Sequence, residues 1–166
     1  DGRKVAVKIQ YPNVRETIDS DMAVAKSLAR RIIKNGQDID PYFEEIRSTL
    51  LLETNYLHEG NQIKEFGERF RSDRFEIPEW IEEYSTERVL CMSFIEGRHL
   101  GDFLKEQPTQ KQRNHFGQLI WEFFHEELKV GGYVHADTHP GNFLFTEDGK
   151  LGIIDFGCVK LFPDEF

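Results

Sequence analysis

The densest run of chemically able side chains is His135-Ala136-Asp137-Thr138-His139-Pro140-Gly141-Asn142, and thirteen residues beyond Asn142 stands Asp155-Phe156-Gly157. Phosphoryl transfer needs such a set. One carboxylate accepts or orients the proton of the attacking hydroxyl, while an amide oxygen and a second carboxylate hold Mg²⁺ against the phosphates. Oxygen ligands suit Mg²⁺, which keeps several waters and takes one or two protein carboxylates. A lysine must also touch the phosphates, held in place by an acidic partner. Val5-Ala6-Val7-Lys8 supplies that lysine within an alternating, strand-like segment. A second chemistry is open to the same loop, since His135, Asp137 and His139 at alternate positions could ligate zinc or iron. That reading leaves Asn142 and Asp155-Phe156-Gly157 without a task.

Several elements must position these groups. Val5, Val7 and Ile9 alternate with Lys4, Lys8 and Gln10, which predicts a half-buried strand. The turn-like Asp1-Gly2-Arg3-Lys4 runs straight into it. Pro12 suits the first turn of a helix whose stripe is Val14, Ile18, Met22, Ala25, Ala29 and Ile32, ended by Gly36. Lys26, Arg30, Arg31 and Lys34 near its end either compensate the helix dipole or face an acidic lipid or partner. A second long helix is signalled by Asp40 as cap and Pro41 inside it. Phe43, Ile46, Leu50 and Leu57 form one stripe with Glu53 in its slot; Leu52, Tyr56, Ile63, Phe66 and Phe70 form another around Glu59. In one continuous helix the two carboxylates point to adjoining faces, and a carboxylate on a core stripe needs a partner.

Strand-like segments follow at Glu79–Glu83 and Arg88–Ile95, then a short helix near Leu100–Lys105. Thr109 caps a long helix carrying Phe116, Leu119, Ile120, Phe123, Phe124 and Leu128, ended by Gly131-Gly132. Asn142–Phe145 and Leu151–Ile154 predict two strands joined at Glu147-Asp148-Gly149. The order is α+β in two lobes, residues 1–96 and 97–166, with the join near Ser93–Gly97.

Composition narrows the class. The 166 residues carry 30 acidic and 21 basic side chains, a net charge of −9, so nucleic acid is a poor partner. No apolar run approaches the ~18–20 residues that span a bilayer. Cys91 and Cys158 are too few for a disulfide framework, which points to a reducing, intracellular compartment.

The order Val5-Ala6-Val7-Lys8, His135-x-Asp137-x-x-x-x-Asn142 and Asp155-Phe156-Gly157 resembles the protein-kinase-like superfamily. No Arg stands between His135 and Asp137, so the loop is similar to those of atypical and small-molecule kinases. Lys8 to Val14, continuing to Asp21, and Glu53-Thr54-Asn55-Tyr56-Leu57-His58-Glu59 resemble the UbiB/ADCK atypical kinases, which support ubiquinone and related isoprenoid-lipid metabolism. Asn55 stands where that family carries Asp. The resemblance implies a kinase-like fold and ATP (or ADP) with Mg²⁺ as cofactors. It implies Lys8 on the phosphates, Glu59 as its ion-pair partner, Asp137 as catalytic base, and Asn142 and Asp155 as metal ligands. By the same resemblance His135 is expected to brace the loop, Met92 to back the adenine pocket, and the backbone of Ser93, Phe94 and Ile95 to pair with adenine. The 51 residues from Lys8 to Glu59 hold the extra helix that the family inserts there.

An Ala-rich nucleotide loop and a K-x-G-Q motif belong to the family before the lysine strand. The chain is therefore expected to be an internal piece, truncated at both ends of the fold. A setting peripheral to a bacterial inner membrane or an organelle membrane is implied, with lipid or quinone-biosynthesis proteins as partners. Two alternatives stand beside an ATPase or phosphotransferase: a small-molecule kinase of the aminoglycoside or choline type, and a non-catalytic nucleotide-binding scaffold.

Overall fold

A computed structural model describes residues 2–33, 38–70, 72–129 and 133–162. Asp1, Lys34, and the helix stops expected at Gly36 and Gly131-Gly132 lie outside the described residues.

Strand β1 (Val5–Ile9) pairs antiparallel with β3 (Val89–Ser93), which sets Lys8 opposite Leu90 and Ala6 opposite Met92. The pleat turns Ala6 and Lys8 inward and leaves Val5, Val7 and Ile9 on the exposed side. This reverses the face expected from the apolar alternation. The lysine has its carboxylate partners inside, so the polar position takes the inner face.

Helix α1 (Val14–Ile32) starts two residues later than Pro12 suggests, because Asn13 adopts a left-handed φ of 63°, which Asn tolerates. Helix α2 (Asp40–Glu53) has Asp40 as its first residue, not its cap. The Asp40 carboxylate instead accepts Arg30 at 2.7 Å and Lys26 at 3.2 Å, and Arg47 meets Asp19 at 2.6 Å. Two of the basic side chains at the end of α1 therefore lace the two helices together. Their apolar stripes do not face the main core: Ile18 is the one buried residue of α1, and α2 has none. The helices pack chiefly on each other, leaving Ile46 and Leu50 exposed.

The long helix expected from Asp40 to Phe70 is in fact two. Helix α3 (Tyr56–Arg69) begins after Asn55, whose backbone is extended and whose side-chain oxygen accepts the N–H groups of Leu57 at 3.2 Å and His58 at 3.3 Å. A side chain that satisfies two orphan donors starts a helix afresh. The facing of Glu53 and Glu59 thus follows from a break and not from one helical rotation.

Beyond α3, β2 (Phe75–Glu76) lies parallel to β6 (Leu151–Ile153), and β5 (Phe143–Phe145) pairs antiparallel with β6. The segment expected as a strand at Glu79–Glu83 makes a single bridge from Trp80 to Met92, then turns as a 3-10 helix at Glu82–Tyr84. Helix α4 (Leu100–Lys105) matches its expectation, and α5 (Gln110–Lys129) opens with a reciprocal cap. Thr109 Oγ1 accepts the Gln112 N–H, and Gln112 Oε1 accepts the Thr109 N–H. Strands β4 (Tyr133–His135) and β7 (Val159–Leu161) pair antiparallel, with His135 opposite Val159.

The core is largely aromatic. Phe66 is fully buried, stacks on Phe70 at 4.9 Å between ring centroids, and meets Phe156 at 5.1 Å and Tyr133 at 5.3 Å. Helix α5 adds Phe116, Leu119 and Phe123. Leu128, expected on that stripe, is 65% exposed, whereas Glu127 is 0% exposed.

Candidate active site

Lys8 is the centre of the site. Its Nζ donates to both carboxylate oxygens of Glu59, each at 3.0 Å, and to Asp155 Oδ2 at 3.1 Å. Tyr56 lies under the ammonium, 5.2 Å from Nζ to the ring centre. Burial works against the charged lysine, but the carboxylates of Glu59 and Asp155 outweigh it and hold Lys8 above its ordinary range. Desolvation lifts Glu59, with Lys8 pulling against it.

Glu59 is delivered by the placement of α3. Gly60 faces the Trp80 indole so closely that a Cβ there would stand 2.2 Å from Trp80 Cε2. The indole is itself anchored, since Nε1 donates to Ser85 Oγ at 3.0 Å and Ser85 Oγ accepts the Cys91 N–H at 3.0 Å. A side chain of any size at position 60 would keep the helix from this approach.

On the other side of the cleft, the loop after β4 is drawn tight by its own side chains. Asn142 Nδ2 donates to Asp137 Oδ2 at 2.7 Å, and Asp137 Oδ1 accepts the His139 N–H at 3.1 Å. The His139 ring accepts the Gly141 N–H at 3.0 Å, at the start of the short 3-10 turn Pro140–Asn142. Desolvation pushes the Asp137 carboxyl upward, yet the Asn142 amide and the His139 N–H win and hold it below its usual range. Because Asn142 donates through nitrogen, its oxygen remains as an acceptor or ligand.

Asp155 is fixed from three directions. Oδ1 accepts the Gly157 N–H at 3.0 Å, Oδ2 takes Lys8, and its carbonyl bonds the His135 ring at Nε2. The Phe156 N–H reaches Glu59 Oε1 at 3.5 Å, and Ala136 N–H donates to the Cys158 carbonyl at 2.8 Å. Glu53, at the end of α2, faces the same cleft. Partial loss of water, then the Asp155 and Asp137 carboxylates, push its carboxyl upward. The oxygen-rich donors Asn142 and Asp155 suit a hard divalent cation. The structure is without the three-residue His, Cys, Asp or Glu cluster of a closed metal centre among its described residues. That composition disfavours zinc or iron held by His135, Asp137 and His139: the His135 ring is turned into the core toward Asp155.

The segment after β3 is the remaining edge of the cleft. Met92 is buried and Phe94 is half-exposed beneath Lys4. The Ser93 N–H donates to the Glu79 carbonyl and the Phe94 N–H to that of Lys4, whereas the Ile95 N–H bonds to no backbone carbonyl among the described residues. The sequence places Tyr56 on a core stripe and in the Glu53–Glu59 motif without setting it beneath Lys8, and it gives no site role to Gly60, Trp80 or Glu127. Glu127 carried a usable signal, a carboxylate four residues after Phe123 on an apolar stripe; the Gly60–Trp80 contact carried none.

A lysine–glutamate pair on a strand and helix, facing an Asp–Asn loop and an Asp-Phe-Gly turn, defines a kinase-like domain. Residues 1–166 match the ABC1 atypical kinase-like domain, and the chain belongs to that family. It is 30% identical over 174 residues to mouse AarF domain-containing protein kinase 1, covering 100% of this chain and 33% of the relative. To the yeast mitochondrial atypical kinase COQ8 it is 30% identical over 169 residues, covering 99% of this chain and 33% of the relative. The solved complex of Rv3197 with erythromycin, from Mycobacterium tuberculosis, superposes with a TM-score of 0.82 at 31% identity, over 98% of this chain and 42% of that one. The α+β, kinase-like fold class is thereby established. The chain spans about a third of the length of the curated relatives it matches.

Proposed function

We propose that this domain binds ATP or ADP with Mg²⁺ in the cleft between β1 and the loop after β4, and serves phosphoryl transfer or ATP hydrolysis. The observation that carries the reading is Lys8, gripped by both oxygens of a buried Glu59 and reaching Asp155. Lys8 neutralises phosphate charge, and Glu59 fixes its direction. Asn142 Oδ1 and the Asp155 carboxylate are the oxygens for Mg²⁺, which would supply charge neutralisation at the phosphates. Asp137, held ionised by Asn142 and His139, orients the attacking hydroxyl or water and takes its proton. The backbone of Ser93, Phe94 and Ile95, with the Ile95 N–H as donor, lies beside adenine, and Met92 backs the ring. Residues 1–96 and 97–166 are taken as the parts of two lobes that meet at this cleft.

The acceptor is proposed to carry an apolar portion. A groove of about 520 Å³, lined by Tyr42, Ile46, Leu50, Ala136 and Cys158 among others, opens beside the residue preceding Asp137. With a relative named as the mitochondrial COQ8, this supports a place in ubiquinone or isoprenoid-lipid metabolism. It also supports an organelle or inner-membrane setting, with lipid or quinone-biosynthesis proteins as partners. No helix among the described residues is long and apolar enough to cross a membrane.

Calorimetric titration of the full-length protein tests the reading. ATP and ADP are expected to bind with an affinity that rises with Mg²⁺, and Asp155→Asn is expected to lose that Mg²⁺ dependence. Equal affinity with and without Mg²⁺, unchanged in Asp155→Asn, would defeat the assignment.

A further inference from the structure

Glu127 is the place where burial and sequence pattern disagree most. Its side chain is 0% exposed, although it follows Phe123 on α5 in a stripe otherwise built of rings and leucine. Oε1 accepts the His135 N–H at 3.0 Å, while Oε2 and His135 Nδ1 have no hydrogen-bond partner among the described residues. Four phenylalanine rings, Phe66, Phe123, Phe143 and Phe156, stand within 6.4 Å of the His135 ring, centre to centre.

The strand geometry explains why this contact matters. β4 has β7 along one edge, where the Ala136 N–H donates to Cys158. The His135 N–H, one residue earlier, points to the opposite edge, where a neighbouring strand would offer a carbonyl. Glu127 fills that place. The residue it holds lies two positions before Asp137, and its ring grips the Asp155 carbonyl.

We propose that Glu127 is a positioning residue for the catalytic loop: by accepting the His135 N–H it fixes the approach to Asp137 and, through the His135 ring, the backbone of Asp155. The kinetic consequence rests on the ATP-dependent reading above; the structural consequence does not. Buried with no cation beside it among the described residues, the carboxyl is pushed up to about 8 and is neutral near pH 7. β4 brings two titratable side chains, His135, whose backbone N–H the carboxyl accepts, and Tyr133, whose hydroxyl is taken up by Gln62 and Glu65 of α3. β6 brings Leu151, Gly152 and Ile153, and α3 and β5 meet α5 through the rings of Phe66, Phe70 and Phe143. On its own helix, Glu126 is taken up by Arg74. A neutral carboxyl and a carboxamide accept the same N–H, so Gln should serve in its place, whereas Leu fills the volume without an acceptor.

The test compares wild type, Glu127→Gln and Glu127→Leu in the full-length protein, by amide hydrogen exchange at His135 and by ATP turnover from pH 6 to 9.5. Exchange at His135 is expected to rise about tenfold or more in Glu127→Leu and to stay near wild type in Glu127→Gln. In Glu127→Leu, kcat should fall about ten- to a hundredfold with KM for ATP little changed, and Glu127→Gln should rescue it. Above pH 8 the wild type should lose turnover that Glu127→Gln keeps. Wild-type exchange in a folded Glu127→Leu, or a Glu127→Gln as impaired as Glu127→Leu, would overturn the proposal. Should wild type turn over no ATP, the functional reading falls, and His135 exchange still decides this one. Should Glu127→Leu fail to fold, Glu127→Asp replaces it, with a shortened acceptor and faster His135 exchange expected; exchange like wild type would count against the proposal.

Discussion

Gly60→Ala is the sharpest perturbation of the lysine–glutamate pair that leaves both charges in place. The added Cβ would lie 2.2 Å from Trp80 Cε2, 2.5 Å from Nε1 and 2.6 Å from Cδ2. Comfortable carbon contacts begin near ~3.5 Å, so the indole and α3 must part by roughly 1.3 Å. The indole has little freedom to yield, because Ser85 holds Nε1 and is itself bonded to Ile81 and Cys91. If α3 takes up the movement, the 3.0 Å contacts of Glu59 with Lys8 open to about 4 Å or more, past the range of a direct ion pair. Overpacking of this kind costs about 1–3 kcal/mol, which for a domain of this size lowers Tm by roughly 2–12 °C. A displacement near 1 Å in a positioning element can cost up to about a hundredfold in kcat. Thermal melting and ATP turnover of the full-length protein read both effects. The clash is specific to the indole, so on a Trp80→Ala background the same Gly60→Ala change should cost less than about 0.5 kcal/mol further. An equal penalty in both backgrounds, or a Gly60→Ala enzyme with wild-type kcat and Tm, would refute the reasoning.

Lys8→Met should destabilise the domain by about 1–3 kcal/mol, because Glu59 is left buried without its cation, and adding Glu59→Gln should recover most of that loss in denaturant titrations. Strict additivity of the two changes would count against a coupled pair. Asn55→Ala removes the cap of α3 and should cost about 1 kcal/mol, while Asn55→Asp keeps the acceptor and should be nearly neutral in melting experiments. Equal losses in both would argue against the capping role. Glu127 makes stability depend on pH. Its folded carboxyl is raised to about 8 from an ordinary 4.5, so the folded state keeps a proton that the unfolded chain gives up. The benefit of neutrality is therefore complete below about pH 4.5 and is lost as pH climbs toward 8. Glu127→Gln should flatten that limb of the Tm–pH curve; an unchanged slope would show that other groups produce it.

The candidate site residues were legible in the sequence because they sit in short motifs whose spacing is local: Asp137 and Asn142 are one loop, and Asp155 directly follows an apolar strand. The association of Lys8 with Glu59, 51 residues away, came through resemblance, and the structure brings the two side chains together. What stayed hidden has several physical origins. Strands β4 and β7 are three residues each, too short for alternation to register, and β2 is shorter still. The inward face of β1 was misread because hydrophobic alternation assumes the apolar side is buried, whereas here Lys8 finds its partners inside. The break between α2 and α3 was missed for another reason: the apolar periodicity runs through Thr54-Asn55, and only the capping bonds of Asn55 reveal the restart. On α5 the same stripe logic chose Leu128 over Glu127, since a pattern of hydrophobicity has no place for a carboxyl that serves a backbone N–H.

The two cysteines turn out to be unequal in a useful way. Cys91 is closed inside the core, and Cys158 is half-open beside the Asp-Phe-Gly turn, its amide carbonyl tied to Ala136. Desolvation first, and then the carboxylates of Glu53 and Asp137, raise its thiol, so a thiol-directed dye should couple slowly at neutral pH and at one site in these 166 residues. Any cation that settles among those carboxylates would weaken the field on the sulfur and quicken the coupling. Labelling speed at Cys158 is in that sense a built-in voltmeter for the cleft, readable without substrate turnover.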